Sequence, residues 1–212
     1  MLIHPAEEGG FWATCPEVPG ANGQGETEEE AEQDLQAAIK LVTRDQAHEA
    51  IIAEAPWISA AARMGLTTHN AIVAWADSHI MRLESPPYWL IELSTLQSET
   101  ITEFAEIIES TSPRTLTSDE KVALAASAYL HDALGLQATL TILFRILLSG
   151  ADGNSLESTT CEIEALLVEW DCFETSNDIN HNFISRCRSA FQNHLRLHGS
   201  SPPTIFHPPS SI

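Results

Sequence analysis

Few residues in this sequence stand at spacings that chemistry requires. Of nine histidines only His194 and His198 fall four apart, where two rings on one helix face could share a metal, with Cys187 seven residues before them on a similar face. No third and fourth ligand follow at finger-like spacing, so a surface pair is expected and no metal. Glu7, Glu8 and Glu17 could hold Mg²⁺ as grouped carboxylates, but they sit among turn-forming residues and read as solvated acids. His131-Asp132 and Trp170-Asp171-Cys172 read as polar rims of helices. A nucleophile with its base, or a glycine-rich phosphate cradle, has no signature here. The expectation is therefore no catalytic residue, no cofactor and no enzymatic activity. Ala61, Gly65 and Ala71, between Ile58 and Trp75, loosely suit a helix-turn-helix. Its second helix would open on Thr67, Thr68, His69 and Asn70 with no Lys or Arg before Arg82, too little to anchor phosphates, so ordinary helix packing is expected.

The charge balance points the same way. Ten Lys and Arg stand against 30 Asp and Glu, a formal charge of −20, which repels nucleic acid and anionic lipid and attracts a basic protein. Residues 1–55 carry 12 acidic and 2 basic residues, half of the whole excess in about a quarter of the chain. Four cysteines, Cys15, Cys161, Cys172 and Cys187, form no CxxC pair and read as reduced thiols of a cytoplasmic protein. The longest apolar run, residues 136–148, is too short to span a bilayer and contains Arg145, so no membrane partner is expected.

The elements that would position a binding surface lie in residues 2–42. Gly9-Gly10 supplies positive-φ positions for a hairpin turn between Leu2-Ile3 and Phe11-Trp12-Ala13. Pro16, Pro19 and Gly20 turn the chain again, and residues 21–25, ending at Gly25, form a third, weaker strand. Thr27 with Glu30 makes a capping box, and Glu26, Glu28 and Glu29 favour the positive end of the helix that follows. Ala31, Leu35, Ala38, Ile39 and Val42 form its apolar stripe, to lie across the sheet. Neighbouring strand residues face opposite ways, so one of Phe11 and Trp12 belongs to the core and the other to a contact surface.

The ordered set Glu8-Gly9-Gly10-Phe11-Trp12-Ala13, Pro16-Glu17-Val18-Pro19-Gly20 and Gln24-Gly25-Glu26-Thr27, with Glu29, Glu30 and Ala31, resembles the HicB-like antitoxin family over about residues 1–45. The resemblance implies a small α+β domain, similar to a reduced RNase H-like core, that neutralises a small basic HicA-like ribonuclease toxin without catalysis of its own. Partner contacts would come from Phe11, Trp12, Glu17, Glu26, Glu28, Glu29 and Glu32. Gly9, Gly10, Pro16, Pro19, Gly20, Gly25, Thr27 and Glu30 would hold the motif. The helix is not followed by a Val-rich fourth strand, so three strands leave an edge unpaired, and a homodimer or a covering segment is expected.

From Trp57 onward the pattern is helical. The expected fold class is α+β: a three-strand sheet with one helix in residues 1–55, an all-α region of about seven helices in residues 56–198, and a disordered Pro/Ser tail in residues 199–212. Pro56 is expected to end the first helix, and residues 110–117 to divide the later helices into two groups. Thr117 with Glu120 forms a second capping box, Gly150 stops a helix, and Asn154 with Glu157 caps the next. An alternative reading makes the HicB-like segment a dimerisation or docking unit, with the function in the helical region.

Overall fold

The computed structural model describes residues 1–97, 100–112, 114–149, 158–173 and 181–198. A three-stranded antiparallel sheet is followed, among the described residues, by helices, and the chain divides into two compact units, Met1–Ala53 and Glu54–Ile212.

The first unit follows from its turns. Gly9 and Gly10 adopt φ of 101° and 80°, and the Ala6 N–H donates to the Gly10 carbonyl at 2.9 Å, closing the hairpin between β1 (Leu2–Pro5) and β2 (Phe11–Thr14). Ile3 stands opposite Ala13 and His4 opposite Trp12. At the second turn Pro19 is followed by Gly20 at φ 94°, and the Ala21 N–H donates to the Val18 carbonyl at 3.2 Å, a type II turn in which proline and glycine take their preferred places. It delivers β3 (Asn22–Gly25) antiparallel to β2, Gly23 opposite Ala13 and Gly25 opposite Phe11. Helix α1 (Glu28–Arg63) then covers one sheet face, where Ala31 and Leu35 are fully buried with Ala13 and Ala21, and Ile3, Phe11, Ala38, Ile39 and Val42 pack around them. Glu30 N–H donates to the Thr27 hydroxyl at 3.2 Å. The Glu30 carboxylate reaches back to the Glu26 N–H at 2.9 Å rather than to Thr27, so the expected box is displaced by one residue on its return half.

Pro56 does not end this helix. α1 continues through it to Arg63. A proline inside a helix costs about 3 kcal/mol, and burying one large apolar side chain returns about 1.5–3 kcal/mol. Trp57, Ile58, Ala61 and Ala62 are all buried on the turns beyond Pro56, which outweighs the lost hydrogen bond. The division between the units falls inside α1, between Ala53 and Glu54.

The second unit adds α2 (His69–Ile80), α3 (Tyr88–Thr95), α4 (Ile101–Thr111), α5 (Ser118–Leu130), α6 (Leu136–Ser149), α7 (Ser158–Phe173) and α8 (His181–His198). Gly65, at φ 70°, separates α1 from α2, and His69 packs on Phe104 of α4 with ring centroids 4.6 Å apart. His69 is thereby engaged within the unit, while Thr68 and Asn70 beside it are exposed. α3 begins after Pro87, as the Pro86-Pro87 pair predicts, and buries Leu90 and Leu93. Trp89 is only half-buried and Ile91 is exposed, because an eight-residue helix presents a single face to the unit.

α5 is apolar around its circumference, with Val122, Ala123, Leu124, Ala125, Ala126, Ser127 and Ala128 all buried. Such a helix is a core element. Val122, Ala125 and Ala126 are part of one core with Leu140 and Leu143 of α6, Leu166 and Trp170 of α7, and Phe183, Cys187 and Phe191 of α8. Burial pushes the Cys187 thiol up to about 11, which makes it a poor nucleophile. His194 is fully buried too, with its Nε2 3.0 Å from the Asp119 carbonyl at the start of α5. The expected surface histidine pair is therefore corrected: His194 continues the Cys187-Ala190-Phe191 stripe into the core. The side chains of His198, Cys161 and Cys172, the features expected at Gly150, Asp152-Gly153-Asn154 and Glu157, and the tail in residues 199–212 lie outside the described residues.

The Thr117 box is complete. Its hydroxyl accepts from the Glu120 N–H at 3.2 Å, and the Glu120 carboxylate accepts from the Thr117 N–H at 2.9 Å. Thr117→Ala is expected to lower stability by about 1 kcal/mol, read as a reduced urea midpoint with an unchanged denaturant slope. Among the described residues no helix is long and apolar enough to cross a membrane, and no group of His, Cys, Asp or Glu could hold a metal ion.

Candidate partner-binding surface

The sheet of the first unit has two unlike faces. Ile3, Phe11, Ala13, Gly23 and Gly25 lie under α1, and the alternating residues Leu2, His4, Trp12, Asn22 and Gln24 point the other way. Gly23 is required by the helix: a Cβ there would lie 2.3 Å from the Ala31 carbonyl oxygen and from the Leu35 nitrogen. Gly25 is equally tight against Glu30 and Ala31. These two glycines let α1 seat on the sheet, and the seating decides which face of β2 stays outside. The period-two pair Gly23 and Gly25 was the available sequence signal.

Trp12 is the side chain left outside, 44% exposed, and Leu2 beside it is 51% exposed. His4 stacks on the indole with ring centroids 4.6 Å apart and planes inclined by 26°. The stack holds the tryptophan against the sheet in one orientation, as a rigid apolar plate. Phe11, expected among the contact residues, packs into the core instead, because its strand parity puts it under α1.

The acidic residues fall into two groups. Asp34 and Glu30 are used by the fold, the first accepting the Gln24 N–H at 3.0 Å and the second the Glu26 N–H. Glu26, Glu28 and Glu29 are exposed at the start of α1, and among the described residues no donor meets their carboxylates. Glu32 accepts a bond from the Gln36 amide at 3.3 Å. Glu17 is exposed on the second turn, where backbone hydrogen bonding and the Cys15 thiol, donating at 3.2 Å, hold its carboxyl below the usual carboxylate range. α1 covers the face opposite Trp12, so the aromatic plate and the acidic helix start do not share one face.

The two edges of the sheet also differ. Ala6 and Gly10 are hydrogen-bonded across the hairpin, so by alternation His4 and Leu2 bond toward β2 while the Ile3 N–H points away from the sheet, and Pro5 has none. On β3 the outward N–H of Gln24 is taken by Asp34. One edge is thus partly closed by a side chain of α1, and among the described residues the outward N–H groups of Asn22 on that edge and of Ile3 on the other have no partner.

Over 45 residues, 21% of this chain, the sequence is 56% identical to a UPF0150 protein of Synechocystis sp.. The match spans 62% of that protein, less than two thirds of its length. No protein-family model matches the chain, and no solved structure matches it.

Proposed function

We propose that the first unit is a HicB-like antitoxin module, which binds a small basic HicA-like ribonuclease in the cytoplasm and neutralises it by occupation, without chemistry of its own. The observation that carries this reading is Trp12, half-exposed and stacked by His4 on a sheet face that α1 leaves open. Rigid aromatic side chains of this kind anchor protein interfaces. The motif resemblance and the acidic excess of residues 1–55 suit the same partner.

Exposed charge governs encounter more than stability. Reversing Glu26, Glu28 and Glu29 to lysine should therefore slow association by about tenfold or more at low salt while the fold is retained, since among the described residues these carboxylates meet no donor and the structure loses only their favourable charge at the helix start. Added salt should mimic the variant, because at 0.15 M ionic strength exposed charges reach only about 8 Å. Rapid-mixing kinetics with a small basic protein co-purified from the native cytosol provides the measurement. Binding that persists unchanged after deletion of residues 1–55 would sink the antitoxin reading.

A second reading has the same unit serve as a dimerisation or docking element for the helical region. The open edge of β1 favours it, because an unpaired strand edge is a template for another strand. Light scattering separates the two: a stable homodimer with no co-purifying basic protein supports docking.

A further inference from the structure

The helical unit contains a cleft of about 420 Å³, formed by the last turns of α1, the end of α4, the segment after it, the start of α5 and α6. Met64, Leu116, Ile142 and Ile146 give it an apolar wall. Four of the ten cationic residues of the chain line it: Arg63, Arg114, Lys121 and Arg145. One carboxylate, Glu109, lines it with them.

Two of the cations are already committed. Arg63 grips Glu109 through two bonds, Nε to Oε1 at 2.6 Å and Nη2 to Oε2 at 2.7 Å, and the Ser59 hydroxyl donates to the same carboxylate at 2.6 Å. Those bonds hold the Glu109 carboxyl below its ordinary range, so it stays ionised and keeps Arg63 in place. Arg114 pairs with Glu120. Among the described residues neither Lys121 nor Arg145 meets a carboxylate. Acidic residues outnumber basic ones three to one in this chain, so two uncompensated cations on one cleft stand against the composition. A recess of this size with an apolar wall and a few convergent charges is the usual form of a small-molecule site, and charge of one sign in a cleft concentrates the opposite ion.

We propose that this cleft binds a small amphipathic anion, with a carboxylate or phosphate head group held by Lys121 and Arg145 and an apolar body lying on Met64, Leu116, Ile142 and Ile146. The site is independent of the antitoxin reading, since every residue lining it belongs to the second unit. A nucleic-acid polymer is repelled by the charge of the whole chain, whereas a single anion needs only the local field.

Calorimetric titration of the full chain with four probes of equal chain length tests this: octanoate, octyl phosphate, octan-1-ol and octylammonium. Saturable one-to-one binding is expected for at least one of the two anions, and which of them binds distinguishes the head groups. The alcohol and the ammonium should bind about tenfold more weakly or worse, since a charge-assisted bond to the head group is lost. The double variant Lys121→Gln, Arg145→Gln should lose the anion preference while its helical circular dichroism is unchanged, and the control Lys40→Gln, Arg44→Gln in the first unit should keep it. Binding of octan-1-ol as tight as that of the anions, an unaffected Lys121/Arg145 double variant, or no binding of either anion would each overturn the proposal.

Discussion

Gly23→Ala is expected to unfold the sheet of the first unit while the helices beyond residue 54 remain intact. The added methyl would lie 2.3 Å from two backbone atoms of α1, and ordinary contact requires a displacement of roughly 1 Å that no flexible side chain can absorb. Overpacking typically costs 1–3 kcal/mol, and a unit of this size holds little stability in reserve. Amide hydrogen exchange reads the outcome residue by residue: residues 2–25 should lose protection and residues 118–130 should keep it. Gly20→Ala is the contrast. Gly20 has open space around its missing Cβ, so the substitution meets only the cost of a positive φ, about 1–2 kcal/mol, and leaves α1 seated. Equal protection in the two variants would contradict the close seating of helix on sheet.

Trp12→Ala is expected to raise the dissociation rate of the proposed toxin complex by about 30-fold or more, the equivalent of roughly 2 kcal/mol at an anchoring aromatic. The free protein should barely notice. Trp12 lies outside the core, and what it loses is its stack with His4, worth about 0.5–1.5 kcal/mol. His4→Ala should act in the same direction and more weakly, by releasing the indole from its fixed orientation. Surface plasmon resonance separates these variants from the glutamate reversals, which act on the association rate. A Trp12→Ala protein that dissociates at the native rate would place the contact surface elsewhere.

The hairpin, the type II turn and both helix starts were legible because each depends on residues within five positions of one another. Gly9-Gly10, Pro19-Gly20, Thr27-Glu30 and Thr117-Glu120 act locally. Strand parity showed that Phe11 and Trp12 face opposite ways, but which of them is outside depends on where α1 sits, and that rests on Gly23 and Gly25 beneath it. Pro56 departs from the local rule because that rule omits the burial of Trp57 and Ile58, which only the tertiary structure supplies. His194 could have been placed: it stands seven residues after Cys187 on the Phe183-Cys187-Phe191 stripe, and a face with three buried members continues with a fourth. The cleft of the helical unit had no such signal. Arg63, Arg114, Lys121 and Arg145 are spread over more than eighty positions, and no periodicity connects residues that meet only through packing.

The edges of the sheet bear on how it could grow. A molecule with two sticky edges polymerises, each addition leaving a fresh end for the next, whereas a molecule with one can only be paired and stopped. With the Gln24 N–H occupied by Asp34, β3 offers only the outward N–H of Asn22, and pairing through β1, where the Ile3 N–H is open, would leave Asp34 at the outer margin. Two copies joined there through a twofold axis would form a continuous six-stranded sheet with β3 at both outer margins, each partly protected by its own Asp34. In such a pair Asp34 would cap part of each margin, and Asp34→Ala should increase concentration-dependent assembly, read by light scattering.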